Sequence, residues 1–224
     1  AVVTHGKKIV WVGPEVQLPA VIRNLPAQTL RLDEGYIVPG FYDLHIHGAG
    51  GFDATDGSAA ALLEMASVLG RFGVAGFLPT TVTHSHEHLL AVAKAVAEAM
   101  EEQSQSRTGA AKIFGLHLEG PYVQRQKAGA QDPKYIRGID LDELEELWQA
   151  APSALRLVTL APEASPSLEA IMWLRERGVI VSLGHTQASY EETWPAIFAG
   201  ASQTAHTFNA MDGFGHRKPG LLGA

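Results

Sequence analysis

Cysteine is absent from the 224-residue chain, and its absence excludes several kinds of structure. Without thiols the chain forms no disulfide and no thiolate metal site, so any metal ligands must be histidine, aspartate or glutamate. No run of about 18 apolar residues occurs, which argues against a membrane span. No basic segment followed by an apolar core marks a signal peptide. We therefore expect a cytoplasmic protein.

Positive charge is also scarce and is not clustered. The chain has 17 lysines and arginines against 24 aspartates and glutamates, which gives a formal net charge of −7. Nucleic acids and anionic membranes are recognised by basic patches, so we expect neither as a partner. The length suits one large domain, or one domain and a fragment of another. What the chain does contain is ten histidines.

The first part of the chain has the pattern of short strands separated by turns. One strand is expected over residues 8–12, before the turn signal Gly13-Pro14, and another over residues 29–32, where apolar and polar side chains alternate. Such short strands bury too little surface to fold alone. We therefore assign residues 1–38 to part of a small β-sandwich domain.

From residue 40 onwards, segments typical of strands and helices alternate. Strands are expected over 41–46, 73–81, 112–118, 155–160, 179–183 and 202–208. Helices are expected over 58–72, 86–102, 141–150 and 165–178. A further helix begins at Ser189, which has the spacing of a capping box with Glu192. Repeated strand–helix units indicate a parallel sheet.

Two parallel architectures fit this alternation, an open doubly wound sheet and a (β/α)8 barrel. No glycine-rich phosphate loop follows the first strand, as it would in many nucleotide-binding open sheets. Barrel sites form at the C-terminal ends of several strands, and the histidines have that placement. We predict an α/β fold of the TIM-barrel type over residues 39–224, with about six of the eight units present.

Four of the six predicted strands end in side chains that bind metals. The first ends in His45-Ile46-His47, where alternation places both imidazoles on one face. The other three end in His117 with Glu119, in His185 and in His206. Nitrogen and oxygen ligands suit zinc, iron, manganese or cobalt, and such an ion activates water and polarises carbonyls. The alternative is a set of core histidines with satisfied hydrogen bonds, recurring at four strand ends by chance.

Longer motifs around these residues resemble those of the N-acetylglucosamine-6-phosphate deacetylases, a branch of the amidohydrolase superfamily. The matching stretches are PGFYDLHIHG (39–48), LPTT (78–81), GLHLEGP (115–121), VTLAPE (158–163), GHT (184–186) and AHTFNAM (205–211). They follow the family's order and cover nearly the whole chain. The resemblance implies a hydrolase that converts N-acetylglucosamine 6-phosphate to glucosamine 6-phosphate and acetate, and a homodimer in the full-length form.

The same resemblance implies metal ligands. Glu119, His185 and His206 would bind the principal ion, with zinc as the first choice, and His45 and His47 would bind a second ion. The superfamily's carboxylated lysine has no counterpart, because the predicted fourth strand contains no lysine. Glu119 would therefore bridge the two ions if both bind.

Substrate contacts are implied in the same way. Arg217 would meet the phosphate, since a guanidinium fork matches phosphate oxygens. Asn209 and Ala210 would lie near the phosphate, and Gln131 near the sugar. No catalytic residue is expected within the chain, because the family's catalytic aspartate would lie beyond Ala224. We therefore expect metal binding with weak or no turnover from residues 1–224.

Several alternatives remain open from the sequence. The substrate could be the galactosamine epimer, or the chain could be an inactive metal-binding fragment. A cyclic-amide hydrolase or base deaminase is less favoured, because Arg217 and the Asn-Ala-Met stretch indicate sugar-phosphate recognition. We expect His84, His86 and His88 to form a solvated helix start and His117 to support a ligand. Glu163 could approach the site or only shape a turn.

Overall fold

The computed structural model describes residues 1–105 and 109–224. Its contacts divide the chain into two compact units, Ala1–Pro39 and Gly40–Ala224. In the first, β1 (Val2–His5) and β2 (Lys8–Val12) form an antiparallel hairpin, and a short helix α1 (Ala20–Arg23) follows. The prediction of a strand over residues 29–32 is wrong: this stretch has no regular secondary structure, and Leu30 is 84% exposed. The assignment of residues 1–38 to part of a small β-sandwich domain stays a prediction.

The second unit is built on parallel strands. The first is β3 (Phe41–Ile46). A small antiparallel hairpin of β4 (Gly48–Ala49) and β5 (Phe52–Asp53) follows it. The other parallel strands are β6 (Val74–Pro79), β7 (Lys112–Ile113), β8 (Leu116–Glu119), β9 (Leu155–Leu160), β10 (Ile180–Leu183) and β11 (Gln203–Thr204). Two sheets result, with the orders β3-β6-β7 and β8-β9-β10-β11. A parallel bridge between Thr80 and His117 joins them.

The expected third strand is interrupted where it changes partner. β7 pairs with β6, whereas β8 pairs with β9. Between them, Gly115 has a φ of 146°, and a Cβ there would lie 2.3 Å from the carbonyl oxygen of Ala154. The sixth strand is also shorter than the predicted 202–208. It ends at Thr204 because His206, Phe208 and Ala210 have positive φ angles, which a strand excludes.

Helices connect the parallel strands. They are α2 (Ala59–Arg71), α3 (His86–Gln105), α4 (Leu141–Ala150), α5 (Ser167–Glu176) and α6 (Tyr190–Ala199), and a last short helix is α7 (Gly220–Gly223). The predicted capping box is present, because the Ser189 hydroxyl accepts from Glu192 N–H and the Glu192 carboxylate accepts from Ser189 N–H. Among the described residues, none of the helices combines the length and apolarity that crossing a membrane requires.

The core lies between the helices and the strands. α2 contributes Leu62 and Met65, β6 contributes Phe77, and α3 contributes Leu89, all completely buried. The buried residues of α2 and α3 recur every three or four positions, which places them on one face of each helix. The predicted α/β architecture of the TIM-barrel type, with six strand positions in parallel pairing, is confirmed. The C-terminal ends of the strands therefore meet on one side of the unit.

Candidate metal centre

The carboxylate of Glu119 lies among four imidazoles at the C-terminal end of β8. Its oxygen Oε1 is 2.7 Å from Nε2 of His206, 3.2 Å from Nε2 of His185 and 3.3 Å from Nε2 of His45. Its other oxygen, Oε2, is 3.3 Å from Nε2 of His47. The Glu119 side chain is only 1% exposed. Five residues from four strand ends thus present their ligand atoms to one point.

Backbone geometry directs two of these histidines inward. His185 follows β10 by two residues with a φ of 49°, and His206 follows β11 by two residues with a φ of 50°. Left-handed conformations are rare for residues other than glycine, and they concentrate at functional sites. His45 and His47 reach the same point by strand alternation, as predicted.

The donor set fits a divalent metal ion. Two groups of three ligand atoms could each hold an ion: one is Glu119 with His185 and His206, and the other is Glu119 with His45 and His47. Within each group the ligand atoms lie within 4.8 Å of one another. Imidazole nitrogen and carboxylate oxygen are common zinc ligands. Within the described part of the chain, the groups at ion-pair distance from this buried carboxylate are all imidazoles. A buried negative charge requires compensation, which a protonated ring or a bound cation supplies.

The titration of these groups reflects their mutual contacts. Burial by itself would raise the pKa of Glu119, but hydrogen bonds from His185, His45 and His47 hold that pKa far below its usual range. The hydrogen bond to Glu119 raises the pKa of His47. Burial lowers the pKa of His185, but its hydrogen bonds to Glu119 and to the Lys127 carbonyl outweigh this, and the net pKa is raised. The centre therefore attracts positive charge.

Backbone carbonyls fix the orientation of two imidazole rings. His185 Nδ1 donates to the carbonyl oxygen of Lys127 at 2.7 Å, and His47 Nδ1 donates to that of Thr80 at 3.0 Å. A carbonyl only accepts, so in the neutral ring Nδ1 carries the proton and Nε2 is free to bind a metal. Contacts of this kind orient metal ligands in many proteins.

Gln131 holds the carboxylate from the other side. Its amide nitrogen donates to Oε2 of Glu119 at 2.8 Å, and its amide oxygen accepts from the backbone N–H of Thr83. Gly120 makes this layer possible: its φ is 75°, and a Cβ there would lie 2.1 Å from the Thr83 hydroxyl. Gln131, which the resemblance placed near the sugar, thus joins the Glu119 carboxylate to the backbone of Thr83.

A cavity of about 460 Å³ opens above the centre. Its lining includes Glu119, Lys127 and Gln131 together with Asn209 and Ala210, the two residues predicted to lie near the phosphate. Arg217 is exposed and is not among the described residues that line this cavity; it lies in the loop closed by the Gly215–Lys218 bridge.

His117 lies behind the centre rather than in it. Its Nδ1 donates to the carbonyl oxygen of Leu44 at 3.1 Å, and its Nε2 accepts from the hydroxyl of Thr159 at 2.7 Å. Burial, with the nearby charge of His45, lowers the pKa of His117 to about 3, so the ring is neutral. Its edge packs against His45, with centroids 4.7 Å apart.

The expected helix start is confirmed, since α3 begins at His86, but the side chains of His84, His86 and His88 are half-buried rather than fully solvated. His86 Nε2 lies 2.7 Å from a carboxylate oxygen of Glu146, His88 donates to a backbone carbonyl, and the His84 ring stacks on Tyr135 with centroids 4.6 Å apart. None of the three belongs to a group that could hold a metal among the described residues.

Three further residues support the centre, and of these only Glu163 was singled out from the sequence, as a residue that could approach the site or shape a turn. Glu163 accepts from the Thr186 hydroxyl and from Gln187 N–H at 2.7 Å, and so shapes the turn that carries His185. Lys127 and Thr80 act through backbone carbonyls, which every residue possesses. No residue type could have identified either contact from the sequence.

Comparison with known proteins assigns the family. The sequence model of the amidohydrolase family matches residues 36–220. The chain belongs to the amidohydrolase family. N-acetylgalactosamine-6-phosphate deacetylase of Escherichia coli O157:H7 is 36% identical over 205 residues, which are 92% of this chain and 53% of that relative. N-acetylglucosamine-6-phosphate deacetylase of Bacillus subtilis (strain 168) is 38% identical over 85% of this chain and 48% of the relative. This amidohydrolase chain spans about half the length of the curated relatives it matches.

Solved structures agree with this assignment. N-acetylglucosamine-6-phosphate deacetylase from Pasteurella multocida superposes with a TM-score of 0.83 at 32% identity, over 100% of this chain and 56% of that chain. A mutant of the Mycobacterium smegmatis enzyme, in complex with N-acetyl-D-glucosamine-6-phosphate, gives 0.75 at 35% identity over 82% of this chain and 46% of that one. The resemblance stated from the motifs is confirmed. The family is metal-dependent, and this amidohydrolase has two groups of side chains that could hold an ion.

Proposed function

We propose that this amidohydrolase removes the acetyl group from N-acetylglucosamine 6-phosphate and releases acetate. The observation that carries the proposal is the convergence of Glu119 with His185, His206, His45 and His47 at the strand ends. The named relatives act on this amino-sugar phosphate or on its epimer, which makes the substrate class specific. From the resemblance we also propose a homodimer of the full-length protein in the cytoplasm.

Glu119, His185 and His206 hold the principal ion in this proposal, and His45 and His47 hold a second ion against the same carboxylate. Zinc is our first choice because it favours nitrogen and oxygen ligands in open hydrolytic sites, although iron, manganese and cobalt accept the same ligands. When bound, a divalent ion of this kind polarises the substrate carbonyl and lowers the pKa of water.

The remaining residues bind and orient. Gln131 and the Lys127 carbonyl keep Glu119 and His185 in position through hydrogen bonds of 2.8 and 2.7 Å. Asn209 and Ala210 line the cavity where the phosphate enters, and Arg217 supplies a guanidinium from the following loop.

The galactosamine epimer is the second candidate substrate. The observation that favours it is the relative from Escherichia coli O157:H7, which acts on that epimer and matches 92% of this chain. The two substrates differ in the orientation of one hydroxyl group. Acetate release from each epimer, measured side by side on the full-length protein, decides between them, and the unphosphorylated sugars test whether the phosphate is required.

Metal content tests the proposed centre directly. We expect one or two equivalents of zinc or a similar ion per purified chain by elemental mass spectrometry, and a loss of most of it in Glu119→Ala, because both groups of ligands share this carboxylate. Glu119→Gln preserves volume in case the alanine variant does not fold, and Glu176→Ala, at the end of α5, is the surface control. A folded wild-type protein that binds no added Zn²⁺ would contradict the proposal.

A further inference from the structure

Lys127 connects two loops that meet at the His185 turn. Its ammonium nitrogen Nζ lies 2.7 Å from Oδ1 of Asp212 and donates to the carbonyl oxygen of Met211 at 3.2 Å. Its own carbonyl oxygen accepts from Nδ1 of His185 at 2.7 Å. One residue therefore contacts a proposed metal ligand with its backbone and the loop after β11 with its side chain.

The backbone joins the same three segments. Gln124 N–H donates to the carbonyl oxygen of His185 at 2.9 Å, and Thr186 N–H donates to the carbonyl oxygen of Ala210 at 3.1 Å. The His185 turn thus lies between the loop that contains Lys127 and the loop that contains Asp212. Because the ion pair links the two outer segments directly, the three segments form a closed arrangement.

The loop after β11 needs such an anchor. His206, Phe208 and Ala210 have φ angles of 50°, 75° and 49°. Non-glycine residues keep left-handed conformations only where the surrounding structure imposes them. Residues 206–209 are exposed, and the buried residues that flank the loop are Ala205 and Met211. Lys127 binds at the Met211 end, so it acts where the loop returns to the fold.

We propose that Lys127 and Asp212 form a clamp that positions residues 206–211, and with them the ligand His206 and the cavity residues Asn209 and Ala210. The inference rests on the metal centre of the proposed function. Lys127 and Asp212 are positioning residues in this account, since they act through the loop and the turn rather than on the reacting atoms.

Direct phosphate binding by Lys127 is the competing explanation, because its side chain lines the cavity. The geometry favours the clamp, since the ammonium already has the Asp212 carboxylate at 2.7 Å and a phosphate would have to displace it. The two roles predict opposite behaviour in Asp212→Asn. A clamp loses its function with either partner, whereas a phosphate ligand keeps its charge when Asp212 is neutralised.

The first test compares Lys127→Met, Asp212→Asn and the double variant by Zn²⁺ affinity, measured in competition with a chromophoric chelator. We expect each single variant to weaken Zn²⁺ binding by about 3- to 10-fold, less than the 10- to 100-fold typical of residues that touch a ligand. The double variant should be no weaker than either single one, because both remove the same interaction. Lys127→Arg should retain most of the affinity.

The second test measures amide hydrogen exchange of residues 206–212 in the metal-free protein. We expect about tenfold faster exchange there in Lys127→Met and Asp212→Asn, because local opening becomes easier without the clamp. Arg177→Met and Glu145→Gln remove an ion pair of 3.3 Å between helices and serve as matched controls that should leave this loop unchanged.

The outcomes separate the clamp from the proposed function. Wild-type protein that binds no Zn²⁺ contradicts the metal centre, and the exchange measurement then decides on the clamp alone. Unchanged exchange and unchanged Zn²⁺ affinity in both single variants overturn the clamp. A loss in Lys127→Met with none in Asp212→Asn also overturns it, in favour of an independent role for the lysine.

Discussion

Glu119 ends β8 and His185 follows β10, and both strands have neighbours on both sides. His45 lies in β3 and His47 directly follows it, and β3 is paired on one side among the described residues. β8 pairs with β9 and is bridged to the end of β6, and β10 pairs with β9 and β11. β3 pairs with β6 alone. His206 follows β11, which pairs with β10 alone in the described residues, and its side chain is 36% exposed. The side chain of His185 is 4% exposed, against 26% and 38% for His45 and His47.

The proposed ligands form two halves that share Glu119: His185 and His206 are one half, and His45 and His47 are the other. The two halves also have different supporting hydrogen bonds. The His185 ring donates to the Lys127 carbonyl, and Glu163 fixes the following turn by accepting from Thr186 and Gln187. In the other half, His47 donates to the Thr80 carbonyl, and the backbone N–H groups of His45 and Ile46 donate to the Asp43 carboxylate and the Thr80 hydroxyl. Rigid, supported ligands lose less freedom when a metal binds. The burial of His185 and the fixed turn that carries it indicate a tighter site where this residue binds and a weaker site at His45 and His47.

The most direct test of this difference replaces one proposed ligand in each half and compares the Zn²⁺ affinities of the two variants. We expect His185→Asn to weaken Zn²⁺ binding by more than about 100-fold, beyond the range found for residues that only support a ligand. His45→Asn should remove at most one of two equivalents and leave the tighter one within about threefold of the wild-type affinity. Titration of the metal-free proteins, with affinity and stoichiometry fitted together, measures both.

The folded state of each variant is the control for that experiment, and far-ultraviolet circular dichroism establishes it. Equal losses of affinity in His185→Asn and His45→Asn would show that the two halves act as one site. A larger loss in His45→Asn would reverse the assignment of the principal site.

The hydrogen bond from Gln131 to Glu119 allows the effect of supporting a proposed ligand to be measured without removing any ligand. Gln131→Ala removes the 2.8 Å bond to Glu119 and leaves all five proposed ligands in place. We expect a 10- to 100-fold weaker Zn²⁺ affinity, the range known for such partners. The buried N–H of Thr83 also loses its acceptor, which should lower the free energy of unfolding by about 1–3 kcal/mol.

Calorimetry of the metal-free and zinc-bound protein separates the two effects of Gln131→Ala. The matched control is Gln149→Ala, because Gln149 bonds on the surface of α4. An unchanged Zn²⁺ affinity in Gln131→Ala would show that Glu119 keeps its position without this bond, and would favour the sugar contact that the resemblance implied.

The ligand atoms of the centre were predictable from the sequence because their placement depends on local rules. Strand alternation places His45 and His47 on one face, and the ends of parallel strands meet at one side. The bounds of β3, α4 and β9 agree with the predicted ranges for the same reason. Hydrophobic period and capping residues are short-range signals, and each of these segments carries them clearly.

The supporting contacts were not predictable, since they depend on distant segments and often on backbone atoms. The acceptor for His185 is a carbonyl 58 residues earlier in the chain, and the donor to Gln131 is a backbone N–H 48 residues away. The early end of β11 has the same origin. The left-handed residues that follow β11 are His206, Phe208 and Ala210, and residues other than glycine adopt this conformation rarely, so the tertiary structure imposes it.

The pH dependence of metal binding distinguishes the two halves by the number of protons that each loses when Zn²⁺ binds. His47 and His185 have pKa values raised above the ordinary 6.5, so protons occupy both rings at a pH where a free histidine is neutral. A raised pKa stabilises the metal-free fold below 6.5, and this contribution is lost as the pH rises through the folded value. Protons and metal therefore compete for the same rings. As the pH is lowered, Zn²⁺ affinity should fall by up to about tenfold per pH unit for each proton that the ion displaces.

Measuring the Zn²⁺ affinity between about pH 8 and pH 6 counts these protons in each half. His47→Asn removes one titrating ring from the weaker half, so its plot of log affinity against pH should be shallower than that of the wild type by up to one proton. His86→Asn, in which the changed ring bonds Glu146 away from the centre, should keep the wild-type slope. If His47→Asn also keeps the full slope, the protons that compete with zinc belong to the His185 half, and the second half binds no ion in this range.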